Sequence, residues 1–229
     1  MENWKRFLNE QEDSQESDAR VKDEGDYTLI SRKDGKIVLV HKDTFAHIGS
    51  HGKPGSGSVF SGKVTPEMIV DFVENKASIP PTGGFVTANF PGGGYELVKP
   101  MAWVRERLPD ASYQVGHKEE FDPASKTKIK IPVVNAITTR DINDPLFAAA
   151  ETSVGIFKYD PGRSTPEQND FIAQTPALAR AHEEGNLFAL ATAFPGGFKI
   201  EGQAVPRASE WGGADPESAK WAVIIPQGK

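Results

Sequence analysis

One order of local signals occurs twice in this chain, a hundred positions apart, and it limits the fold more than any other feature. Thr65-Pro66-Glu67 leads into Asp71-Phe72-Val73, and a later run closes with Thr87-Ala88-Asn89-Phe90-Pro91-Gly92-Gly93. The second copy reads Thr165-Pro166-Glu167, Asp170-Phe171-Ile172 and Thr192-Ala193-Phe194-Pro195-Gly196-Gly197. Short apolar strands, Val59-Phe60 and Gly155-Ile156-Phe157, precede the two copies. Thr before Pro starts a helix well, because Pro suits the first helical position and the following Glu favours the positive end of the helix dipole. Pro-Gly-Gly ends a strand and turns the chain. The pattern predicts an α+β protein with mostly antiparallel sheet and a few helices. It also predicts an internal duplication into two related halves, 27–139 and 140–229. The plainer alternative is a single α+β domain in which two similar helix–strand units recur.

The rest of the chain fits either plan. Tyr27–Ser31 and Lys36–His41 flank Lys33-Asp34-Gly35, a hairpin signal. A short helix is expected at Ala102–Arg107, and a hairpin through Tyr113–Glu119 and Lys128–Val134. Lys and Ile alternate towards Val134, which marks one wet and one dry face. The longest helix should run from Pro166 to about Glu184 with a kink at Pro176. A final strand is expected at Trp221–Pro226, and Trp211, beside Gly212-Gly213, is expected to be buried.

At 229 residues the chain is long enough for a real core. The absence of cysteine excludes disulfides, thiol catalysis and thiolate zinc sites. No apolar run approaches the length of a membrane span, and the N-terminus lacks a signal-like stretch. The expected location is the cytoplasm, or a particle assembled there. Of the net charge of -6, all but about one unit sits in residues 1–26, where nine acidic side chains face four basic ones. No basic field draws in nucleic acid as a whole.

Within residues 1–26, Trp4, Phe7 and Leu8 stand at i, i+3 and i+4, one face of a short helix. The polar, acidic stretch from Asn9 to Asp26 lacks the apolar surface to fold alone. This reads as a docking peptide for a protein partner's groove, on a flexible linker. The alternative is a helix packed on its own domain. An aromatic and basic short helix ahead of an acidic linker is similar to the N-termini of some phage-encoded proteins.

Three of five histidines, His41, His47 and His51, lie within eleven positions at the mouth of a Gly/Ser-rich segment, His47–Ser58. Histidine titrates nearest neutral pH, so such clustering is the best catalytic hint in the chain. The spacing His47, His51-Gly52, a loop, Phe60 and a Thr-Pro-Glu helix, over His47–Val73, resembles small metal-independent RNase toxins of the barnase, EndoU, colicin and RelE-like type. Thr192–Pro195 echoes their late strand. The resemblance implies an RNA substrate, with His47 and His51 as general base and general acid and Lys53 stabilising the charged phosphorane. Thr44, Ser56 and Ser58 would bind the substrate's phosphate, with no metal and no cofactor. The competing class is a non-enzymatic interaction or structural protein, such as a phage or particle component, recruited by Trp4, Phe7 and Leu8. Gly62-Lys63-Val64-Thr65 misses the Walker ending by one residue, and Pro91-Gly92-Gly93-Gly94 leads into a strand rather than a helix. No nucleotide-binding reading survives.

Overall fold

The computed structural model describes residues 20–49, 57–61, 64–90, 93–122, 127–197, 199–200, 203–204 and 210–227. These form an α+β structure of two compact units built from interleaved segments. The first draws on 20–49, 64–90 and 153–193, and the second on 57–61, 93–152 and 194–227. The expected halves 27–139 and 140–229 are therefore each divided between the units. Contact between residues distant in sequence, not adjacency along the chain, decides unit membership.

In the first unit the strands are β1 (Val21–Glu24), β2 (Tyr27–Ser31), β3 (Ile37–His41), β5 (Gly83–Ala88), β11 (Thr152–Lys158) and β12 (Leu187–Pro195). They make one mixed sheet in the order β1-β2-β3-β12-β11-β5. The sheet begins before Tyr27, inside the stretch expected to be unstructured linker. Val21–Glu24 pairs with β2, and Gly25-Asp26 makes the two-residue turn, Gly25 adopting φ +71°. Next comes the Lys33-Asp34-Gly35 hairpin, with β2 and β3 antiparallel as expected. β3 then pairs in parallel with β12, Ile37 opposite Leu187. At the far edge Gly83 is needed for close approach, since a Cβ there would lie 2.7 Å from the Ile156 carbonyl.

Both repeated helix starts form helices, α2 (Pro66–Asp71) and α4 (Pro166–Gln174), each with Pro in its first turn. Their caps differ. Thr165 accepts a hydrogen bond from the Gln168 N–H at 3.2 Å, whereas Thr65 makes no side-chain cap bond. The strands that follow, β5 and β12, flank β11 in the same sheet. The short strands that precede the repeats do not correspond. β11 lies between β12 and the edge strand β5 of the six-stranded sheet, while Val59-Phe60 lies in β4 (Ser58–Phe60), part of a three-stranded sheet in the second unit. The long helix is broken, not merely kinked, at Pro176. Its second part is α5 (Pro176–Glu183), which packs with α4 on a layer of Leu29, Leu39, Ile172, Leu178 and Leu187.

After α2 the backbone widens into a π turn, Phe72–Lys76, closed by the Ala77 N–H on the Phe72 carbonyl at 2.8 Å. The Arg32 guanidinium, 9% exposed, caps this turn. It donates to the carbonyls of Val73 and Ala77, the latter at 2.6 Å, and it also binds the Asp34 carboxylate. Burial pushes the Asp34 carboxyl up, but hydrogen bonds from Lys36 and Arg32 outweigh this and bring it down to about 2.

In the second unit, β7 (Val98–Pro100), β15 (Trp221–Gln227), β9 (Thr127–Asp141) and β8 (Ser112–Asp122) form a sheet in that order. β9 and β15 pair in parallel, and β8 and β9 make the expected hairpin, longer than the sequence suggests. Helix α3 (Met101–Arg107) covers one face, where Val104, Val134, Ala136 and Ile224 meet. Ile131, Val133, Val223 and Trp211 fill the other. Trp211 is buried, as expected. β4 pairs with β6 (Gly94–Glu96), which also pairs with β10 (Ala148–Ala149). β13 (Lys199–Ile200) and β14 (Gln203–Ala204) form a short ladder.

Arg32→Met is expected to lower the stability of the first unit by about 2–4 kcal/mol, read from urea unfolding, because two or more carbonyls lose a charged donor. It also returns the Asp34 carboxyl towards its ordinary value, about 3.9, which NMR titration would detect. The sign follows from linkage. A depressed carboxyl adds stability above its unfolded value and loses it as pH falls towards about 2, so that acid-sensitive increment shrinks in Arg32→Met.

Candidate functional site

Of the residues proposed for phosphodiester chemistry, the described structure contains Thr44, His47 and Ser58. His51, Lys53 and Ser56 lie outside the described residues, as do Trp4, Phe7 and Leu8. His47 was expected in a loop but stands on helix α1 (Lys42–Gly49). The reason is local: Phe45 and Ile48, three positions apart, are both buried and anchor one face of α1, which carries His47 into solvent. Thr44, three residues before His47, is half-buried. Ser58 belongs to the second unit, buried in β4 opposite Glu96 of β6.

Sequence reasoning missed a cluster of rings at the rim of the layer beneath α4 and α5. Tyr27 and His41 are directly opposed in β2 and β3, with ring centroids 5.0 Å apart in an edge contact. On its other side Tyr27 stacks with Phe171 of α4 at 4.4 Å. Tyr159 presents its hydroxyl to Asn169 of α4 and meets the edge of His182 of α5 at 5.4 Å. The contributing residues lie as far apart as Tyr27 and His182, so no local signal joins them. The one available hint is that Tyr27 and His41 fall opposite each other once the Lys33-Asp34-Gly35 turn sets the register.

The chemistry of this rim is set by hydrogen bonds. His41 Nδ1 accepts the Asp43 backbone N–H at 3.1 Å, as an N-cap side chain does at the start of α1. The cap bond occupies Nδ1 and leaves Nε2 as the other polar atom of the ring. The Asp43 carboxylate lies 3.5 Å from the same nitrogen. The Lys42 ammonium binds the Asp26 carboxylate, and that hydrogen bond holds the Asp26 carboxyl below its ordinary value. Tyr27 moves the other way. Its phenol is pushed up first by burial and then by the charge of Asp26, with smaller effects from Tyr159 and Glu167. The cluster works as a hydrogen-bonded aromatic seam between sheet and helices.

Among the described residues no group of three or more His, Asp or Glu side chains is placed to hold a metal ion. No described helix is long and apolar enough to cross a membrane. Comparison with known proteins finds no matching family model, no matching curated protein and no matching solved structure.

The N-cap role of His41 makes a specific prediction. His41→Ala should cost about 1 kcal/mol of stability, while His41→Asn, whose side chain also accepts a cap bond, should recover most of it. Hydrogen exchange at the Asp43 amide separates the cap from the ring contact with Tyr27. It should quicken in His41→Ala and remain slow in His41→Asn.

Proposed function

We propose that this protein is a non-enzymatic interaction or structural protein, recruited to a protein partner through the N-terminal peptide bearing Trp4, Phe7 and Leu8. The observation that favours this over a nuclease is the way the described histidines of the 41–51 cluster are held. The lone pair of His41 Nδ1 is taken up by the Asp43 N–H, and His47 is exposed on α1 six positions further on. His41 is the last residue of β3 and caps the start of α1, while His47 stands in the last turn of that helix, so the two described imidazoles sit at opposite ends of α1, whereas a general acid and a general base must converge on one phosphodiester. Ser58, offered as a phosphate ligand, has its side chain in the interior of the second unit.

The peptide supplies the positive side of the reading. A Trp, a Phe and a Leu on one helical face bring roughly 1.5–3 kcal/mol each when buried in a groove. Association itself offsets part of that gain, so the expected binding is weak and reversible.

The test uses the full chain as bait in an extract of its source, beside a chain carrying Trp4→Ala, Phe7→Ala and Leu8→Ala. A partner retained by the first and lost by the second, with both chains showing the same thermal unfolding, supports recruitment. The same chain is incubated with mixed RNA in EDTA. Cleavage abolished by both His47→Ala and His51→Ala, or equal retention of the same proteins by both baits, would overturn the proposal.

A further inference from the structure

We infer that the four-stranded sheet of the second unit carries a peptide-binding site, in which Asn135 holds the main chain of an extended, uncharged segment of a partner protein. The face of that sheet turned away from α3 is unevenly covered. Trp211, itself buried, packs on Ile131, Val133 and Val223 at one end. Towards the other end Ile137 and Ile225, opposed in β9 and β15, are only half-buried, and Gln114 of β8 is exposed. Asn135 stands where cover gives way to solvent. It lies between Val223 of β15 and Gln114 of β8, and it places a carboxamide in the apolar row Ile131, Val133, Ile137. It is half-buried, so part of its surface reaches solvent.

Two observations mark this boundary as a site. The Asn135 carboxamide lies against Gly116 of β8, where a Cβ would sit 2.4 Å from both its nitrogen and its oxygen, so the glycine makes room for the amide. Trp211, packed on the Val133 and Val223 that flank Asn135, keeps its buried indole N–H without a hydrogen-bond partner, a costly state that a bound acceptor relieves. The chemistry selects the ligand. A carboxamide offers a donor and an acceptor side by side, which the C=O and N–H of a peptide main chain answer together, and a further main-chain carbonyl suits the indole N–H. Ile137 and Ile225 give an aliphatic side chain a dry surface. Gln114, Asn135, Ile137, Val223 and Ile225 bring no charge, which disfavours a phosphate or a nucleic acid. The buried ring of Trp211, with the Lys118 ammonium 5.0 Å from its centroid, gives a sugar or a base no stacking platform. The site is separate from the N-terminal peptide and stands whether or not that peptide recruits a partner.

The test titrates the full, isotope-labelled chain with N-acetyl-leucine N-methylamide, a blocked residue with two peptide groups and one aliphatic side chain. Its binding is expected in the millimolar range, as befits so small a probe. The indole N–H resonance of Trp211 should move downfield and saturate, together with the side-chain amide resonances of Asn135. Asn135→Leu removes the amide, and the nearly isosteric Asn135→Asp keeps its shape but loses its donors. Each should weaken the response about tenfold or more. Thermal unfolding of both variants, above all of Asn135→Asp, separates this from a loss of fold. An indole resonance that ignores the probe, responds equally in folded variants, or moves as far with inorganic phosphate or glucose at the same concentration would overturn the inference.

Discussion

Two parallel strand pairings, β3 with β12 and β9 with β15, control the path of this chain. Antiparallel neighbours are joined by a turn of a few residues, but parallel neighbours require the chain to travel back the length of the sheet before pairing. Between His41 and Leu187 that return takes in most of the second unit, and between Asp141 and Trp221 the return takes in β11, α4, α5 and β12 of the first. Each unit is therefore closed by a strand that arrives late. Neither sheet is complete until the other unit's segments have been threaded through the connection. A topology with this many non-local pairings brings a high loop-closure cost before its contacts form.

What keeps such a fold specific is the contrast between central and outer strands. Val38, Leu39 and Val40 of β3, and Leu187 and Phe188 of β12, are buried, so this central pair is covered on both faces and its register is strongly set. Where polar groups must enter the interior they are answered locally. Arg32 reaches carbonyls left open by the π turn, and its charge is balanced by Asp34, in the turn of the hairpin that begins just after Arg32. One side chain thus ties the β2–β3 turn to the end of α2, across some forty residues of sequence. The rim of rings around Tyr27 does the same for the β2–β3 pair and α4, with geometry in place of charge.

The features legible in the sequence are those decided within a few residues. Lys33-Asp34-Gly35 reports a turn because Gly35 accepts the positive φ required there, and Pro166 marks a helix start because proline fixes φ and lacks an N–H, whereas Pro176, read as a kink, starts a separate helix. The α+β class follows from counting such signals. β1 was not legible, since Val21-Lys22-Asp23-Glu24 reads as acidic linker and becomes a strand only because β2 offers an edge to it. The interleaved units were not legible for a related reason. Nothing near Ile37 or Leu187 states that they will meet. At the candidate site the histidine cluster was visible as composition. The helix that separates His47 from His41, and the cap that occupies His41, depend on Phe45 and Ile48 being buried, which the neighbouring glycines obscured.

The sheet edges show the same division between local and distant control. β1 is four residues long and mostly charged, and β7 is three residues long and ends in a proline. Short length, charge and proline all discourage a further strand. β8, at 11 residues, has neither short length nor proline to discourage a further strand. That task falls to its charges, Lys118 and Glu119 at adjacent positions and so on opposite faces, which an added strand on either side of the pleat would have to strip of water. Length, proline and charge are thus interchangeable means to one end, and each edge uses those its own sequence supplies.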